Sequence, residues 1–169
     1  MLFRSVSGVT KRYELSATWN VLKDVIESNM TDPLVTYKDE TSTVTARTST
    51  SEWIKNGFPN PSTLGKVGSW RFPIVVLRIS NIDDENVVVS GTKDKIVHSI
   101  EIEYHDTNRK IAAQMAEEIR YLLKVTAQSE LRKAALFGPD IIGSVEDSDF
   151  IGANKFYTKT LEYEFKRFD

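Results

Sequence analysis

The sequence predicts an α+β domain. Its expected form is a mostly antiparallel sheet of about four to five strands, with an N-terminal helix and one long helix packed on one face. Three patterns carry this reading. Residues 96–104 alternate, with Ile96, His98, Ile100, Ile102 and Tyr104 on one side and Ser99, Glu101 and Glu103 on the other. Ile111, Met115, Ile119, Leu122 and Leu123 recur at helical spacing. A second alternation spans Phe156 to Phe168.

Taken in order, the first ten or so residues read as an arm. Ser16 or Thr18 can cap a helix whose stripe is Leu15, Trp19, Leu22 and Ile26, closed by Asn29 and Pro33. Residues 36–70 read as a long, flexible loop region. It is Ser/Thr-rich up to residue 51, has strand character only at Val44-Thr-Ala-Arg-Thr, and holds three glycines and two prolines between Asn56 and Gly68. Ile74 to Ile79 is apolar on both faces, as a central strand is. Asn81 to Asn86 reads as a polar turn, Val87 to Ser90 as a short strand and Gly91 to Asp94 as a second turn, giving a meander with 96–104. Asp106 or Thr107 caps the long helix, Ala112 and Ala116 permit close packing, and Gly138-Pro139 stops it. A kink near Ser129 is allowed. Asp140 to Asn154 reads as loop with a short strand at Ile141-Ile142. In the last strand Tyr157, Leu161, Tyr163 and Phe165 share one face, and Thr158, Thr160, Glu162, Glu164 and Lys166 the other. All 169 residues fall in a single domain.

Composition narrows the chemistry. The chain is 40% hydrophobic and 27% charged, a globular balance. It has no cysteine, which excludes disulfides, thiol catalysis and thiolate metal sites. A net charge of −2 is a poor footprint for gripping nucleic acid by phosphate neutralisation. The first residues lack a signal peptide's apolar run, and no stretch approaches the roughly 20 apolar residues of a membrane span, so synthesis in the cytoplasm is expected.

Catalytic motifs are missing. GxSxG, HExxH and GxGxxG do not occur, and Ser90-Gly-Thr-Lys93 lacks the order of a phosphate loop. Only two histidines are present. His98 lies on an apolar strand face, where a satisfied core residue outweighs a ligand. His105 and Asp106 are adjacent on a strand and point apart, which argues against an acid–base pair. Asp83-Asp-Glu85 fails the calcium-loop spacing, because the sixth residue from Asn81 is Asn86 and the twelfth is Thr92. Glu146, Asp147 and Asp149 are a weaker version. No catalytic residue, metal ligand or cofactor is therefore expected, and the chain reads as a binding or assembly protein rather than an enzyme.

Several stretches resemble the tail terminator and tail-completion (head-to-tail joining) proteins of tailed phages. They are Arg71-Phe-Pro with the following apolar strand, KIVHSIEIEYHD, TNRKIAAQMAEEIRYLL, Gly138-Pro139 and KTLEYEFKRF, across about residues 13–169. The resemblance implies a structural protein of the virion's tail–neck region. It would form a ring, typically a hexamer, that caps the tail tube, docks it to the head connector or head-completion protein, and lets DNA pass through a channel. On that reading Glu101, Glu103, Glu162 and Glu164 are candidates to line the channel. Trp53, Phe58 and Trp70 are candidates for subunit or tail-tube contact, although Trp53 and Trp70 can equally cover the sheet edge. The alternative is a small α+β module that binds single-stranded nucleic acid through Phe156, Tyr157 and the basic residues of the last strand.

Overall fold

The computed structural model describes residues 7–38, 47, 53–58, 72–85, 95–151 and 153–168. Helix α1 (Ser7–Asn29) is followed by α2 (Pro33–Lys38), β1 (Ile54–Lys55), β2 (Ile74–Glu85) and β3 (Lys95–Asp106). Helix α3 (Arg109–Tyr121) then runs through a π-turn (Leu122–Thr126) into α4 (Gln128–Lys133), and the chain ends in β4 (Leu136–Ile151) and β5 (Asn154–Phe168). The five strands form one sheet in the order β1-β2-β3-β5-β4, antiparallel except for the short β1–β2 pair. The expected α+β class is therefore what the chain adopts.

One sheet face holds the core. Val75 and Leu77 of β2, Ile100, Ile102 and Tyr104 of β3, and Leu161, Tyr163 and Phe165 of β5 cluster there with Leu22, Val25 and Ile26 of α1, Met115, Ala116 and Ile119 of α3, and Leu131 of α4. Ala112 and Ala116 are buried, which lets α3 lie close to β3 and β5. The Trp19 indole N–H donates to the Leu77 carbonyl at 3.2 Å and ties α1 to β2. His98 is fully buried on this face, as its place in the alternation predicts.

Several boundaries differ from the sequence reading. Helix α1 starts at Ser7 rather than near Ser16, and Thr18 is a buried mid-helix residue, not a cap. Pro33 opens α2 instead of only closing α1. It occupies the first helical position, where its missing N–H costs nothing, and the Asp32 carboxylate accepts from the Leu34 N–H at 2.9 Å. Asn81 to Glu85 is not a turn but the continuation of β2, because its backbone pairs with Lys95 to Ser99 of β3. Neither Asp106 nor Thr107 caps α3. Asn108 does, accepting from the Lys110 N–H at 2.9 Å, while buried Asp106 accepts from the Asn108 N–H at 2.6 Å and shapes the strand-to-helix corner. The Val44 segment and residues 87–94 lie outside the described residues.

The largest difference is β4. Its 16 residues were expected to be mostly loop, yet they pair with β5 from Leu136↔Arg167 to Ile151↔Asn154. Gly138 does not stop the long helix. It sits inside β4 at φ 57°, at a register shift between Phe137 and Asp140, and a second shift follows between Ile141 and Gly143. Bulges of this kind bend a strand and increase its twist. The helix ends earlier, at Ala134, and Ala135 takes the left-handed conformation at φ 59°. Glycine is the residue suited to that position. Ala135→Gly is expected to stabilise the fold by about 1 kcal/mol, read as a higher urea midpoint at unchanged slope.

Candidate functional site

Strand alternation puts a second set of side chains on the sheet face away from the helices. Across the register, Glu101 stands directly opposite Glu162, Glu103 opposite Thr160, His105 opposite Thr158, and Ser99 opposite Glu164. All four glutamates expected to share a surface therefore do so, on two neighbouring strands. Like charges directly opposite on a sheet are destabilising, and on its other side Glu101 stands opposite Arg78 of β2, whose cation offsets part of that cost. The glutamates are not equivalent. Glu103 is drawn inward, its side chain only 13% exposed, with Arg78 Nε at 3.1 Å and His105 Nε2 at 3.0 Å. Gly143 faces Glu162 across β4 and β5, and a methyl group there would stand 3.0 Å from a Glu162 carboxylate oxygen.

Toward the β4–β5 turn this face becomes a pocket of about 400 Å³, lined in part by Arg78, Glu103, His105, Asp147, Asp149 and Phe156. His105 is buried at its floor. Its Nδ1 lies 2.8 Å from the Thr158 hydroxyl and its Nε2 3.0 Å from Glu103. The tautomer that donates to Glu103 accepts from Thr158, giving a carboxylate–imidazole–hydroxyl relay. The relay joins residues two apart on β3 to the facing residue on β5, and strand periodicity with a known register would have located it. A hydroxyl nucleophile also needs donors for the developing oxyanion. Here β5 lies between β3 and β4, so its backbone N–H groups serve the two ladders. Phe58 stands 4.6 Å from the imidazole and stacks on Phe156 at 5.3 Å, with Phe72 beyond at 5.8 Å. The relay and these rings make a braced pocket floor. His105 and Asp106 do point to opposite sides of β3, since Asp106 serves the helix corner.

The aromatic candidates divide. Trp53 is not an exposed anchor. It is 1% exposed, belongs to the core cluster, and accepts from the Val75 N–H at 2.7 Å through its carbonyl. The residue covers the sheet edge at β1, the other use its place in the sequence allowed. Phe58 is half-buried against His105 and Phe156, and Trp70 lies outside the described residues. Among the last strand's aromatics with described side chains, Phe156, Tyr163 and Phe165 are buried and Tyr157 is partly open, with Lys155 Nζ 5.1 Å from its ring. Burial raises the Tyr163 phenol to about 12 and holds that of Tyr104, 3.5 Å away, well above its ordinary value. Both therefore stay neutral and part of the core.

β5 pairs with β3 as far as Tyr157, so β4 and β5 stand alone only at a short tip, residues 149–151 with 154–156. Glu146 anchors it, pairing with Arg109 of α3 at 2.5 Å and Lys159 of β5 at 3.1 Å. The hydrogen bond from Arg109, reinforced by Lys159, lowers the Glu146 carboxyl. Among the described residues no group of histidines and carboxylates could hold a metal ion, and no helix is long and apolar enough to cross a membrane. No protein-family model matches the chain, and no curated protein matches it.

Proposed function

We propose that this chain is a non-catalytic structural subunit of a ring in the tail–neck region of a tailed-phage virion, of the tail-terminator type. In this role it caps the tail tube and joins it to the head connector. The observation that carries the reading is the placement of Glu101, Glu162 and Glu164 side by side on the sheet face that bears no described helix. A passage for DNA works best when its wall does not hold the phosphates, and a wall of carboxylates repels them. Such a use accounts for keeping two glutamates opposite each other at a cost to the sheet. Glu103 has a different part in this reading, because the Arg78 guanidinium pairs with it and His105 hydrogen-bonds it. The buried aromatics of β5 leave little for base stacking, which disfavours the single-stranded nucleic-acid module. Native mass spectrometry over a concentration series, with negative-stain images of the largest species, tests the reading. A closed ring with a central hole, six-fold in the simplest case, is the expected result. A chain that stays monomeric at every concentration and leaves no trace of self-contact under covalent trapping overturns it.

A further inference from the structure

Strand β4 ends the sheet among the described residues. In the order β1-β2-β3-β5-β4 it pairs with β5 on one side only. The two register shifts break its first half, but from Gly143 to Ile151 the ladder to β5 is continuous. Every residue from Ser144 to Phe150 is exposed, those on the α3 face and those on the far face alike. Exposure of both alternating sets marks an open edge, whose backbone N–H and C=O groups can pair with a further strand. Proline, lysine or a bulge commonly blunts such an edge. The stretch Gly143 to Ile151 (GSVEDSDFI) has no proline, lysine or arginine.

The two faces of this edge differ in charge. On the α3 face, Glu146, Ser148 and Phe150 stand opposite Lys159, Tyr157 and Lys155 of β5. The cations there are engaged. Arg109 and Lys159 pair with Glu146, and the Lys155 ammonium lies over the Phe150 and Tyr157 rings. On the far face, Val145, Asp147, Asp149 and Ile151 stand opposite Thr160, Thr158, Phe156 and Asn154. No cation of β5 therefore faces either aspartate. Asp147 and Asp149 each accept from the next residue's N–H at 2.7 Å, and neither has an ion pair among the described residues. The pocket they border holds Arg78, but Arg78 lies on β2, with β3 and β5 between, and pairs with Glu103.

We infer that the outer edge of β4, from Gly143 to Ile151, is a docking site for a basic extended segment of another protein, which pairs there as a further strand of the sheet. Backbone pairing supplies the attachment and side chains supply the choice. On the far face the added strand needs apolar residues beside Val145 and Ile151 and basic residues beside Asp147 and Asp149. Charge argues against a second copy of this chain pairing through its described edges. Two β4 edges would bring acid against acid, because this stretch holds three acidic residues and no basic one, and like charges side by side destabilise a sheet. The other edge strand, β1, is only Ile54–Lys55, and Ile54 is buried. Acids along an open edge thus keep copies apart and admit a basic partner. The inference concerns the sheet's edge and does not depend on the ring proposed above.

The test titrates the full chain with the end-capped peptide Val-Thr-Lys-Thr-Lys-Thr-Val, which reads the same in either strand direction. The peptide should bind, weaken as salt rises, and slow hydrogen exchange at alternate amides between Gly143 and Ile151, those whose N–H groups point outward. The same peptide with glutamate in place of lysine should bind about tenfold or more weakly. Asp147→Lys with Asp149→Lys should reverse that order and prefer the glutamate peptide, and the reversal also shows that the variant is folded. Methylating the lysine peptide's backbone nitrogens should abolish binding, because a ladder needs their N–H groups. Equal binding of the two peptides, binding that survives methylation, protection that falls elsewhere than on β4, or no binding at millimolar peptide each overturns the inference.

Discussion

Replacing Asp32 by alanine is expected to destabilise the fold by about 3–5 kcal/mol, because it strands a buried guanidinium. Arg47 and Asp32 have side chains only 2% and 8% exposed. Arg47 Nε reaches the two carboxylate oxygens at 3.1 and 3.0 Å, its backbone N–H donates to Oδ2 at 2.9 Å, and its guanidinium also reaches the Pro73 carbonyl at 2.9 Å. One carboxylate thus fixes Arg47, the start of α2 and the approach to β2. Asp32→Asn keeps the cap but loses the charge, and should fall between alanine and wild type in a urea titration. The same pair gives an acid signature. Burial would raise the Asp32 carboxyl, but the hydrogen bonds from Arg47 and Leu34 and the guanidinium charge outweigh it, and the pKa lies below its ordinary value of 3.8. A carboxyl lowered in the folded state adds stability above its unfolded pKa and loses it as pH falls through the folded one. The difference in stability between wild type and Asp32→Asn should therefore hold above pH 3.8 and shrink below it.

The second large effect is expected at Trp53. Trp53→Ala should cost about 3–5 kcal/mol, the range for removing a large aromatic from a packed core. The loss should appear in the unfolding midpoint and not in the assembly of molecules that remain folded. A variant that keeps its midpoint but no longer self-associates would return Trp53 to the interface. The contrast with Phe150 is direct. That ring is 61% exposed, so its removal should leave stability almost unchanged.

How much of this was legible in the sequence follows from the range of the forces involved. The β3 and β5 alternations and the α3 stripe are local signals produced by burial on one face, and they specify the core. Strand β4 gave no such signal. Its residues from Ser144 to Phe150 are exposed, with Glu146, Asp147, Ser148 and Asp149 in succession, so no apolar period marks them. What holds them extended is the backbone ladder to β5, a partner the local composition does not announce. The β2 extension through Asn81-Ile-Asp-Asp-Glu was hidden for the same reason. Turn-forming residues were recruited into a long hairpin by pairing with Lys95 to Ser99. At the site, placing the glutamates on polar strand faces was enough to group them, but only the register sets Glu101 against Glu162. The Glu103–His105–Thr158 relay joins two strands, and no spacing within either could show it.

The β4–β5 register has an evolutionary corollary. Inserting or deleting one residue in a strand turns every later side chain to the other face. Tolerated length changes at its outer end should therefore come as two residues in each strand together, moving the tip by roughly 6–7 Å per step. Point substitution can tune the chemistry of the tip, but its reach is quantised. Lineages descending from this sequence would change the spacing of whatever the tip touches in discrete jumps, and surviving variants should differ by paired indels flanking the Phe150 turn.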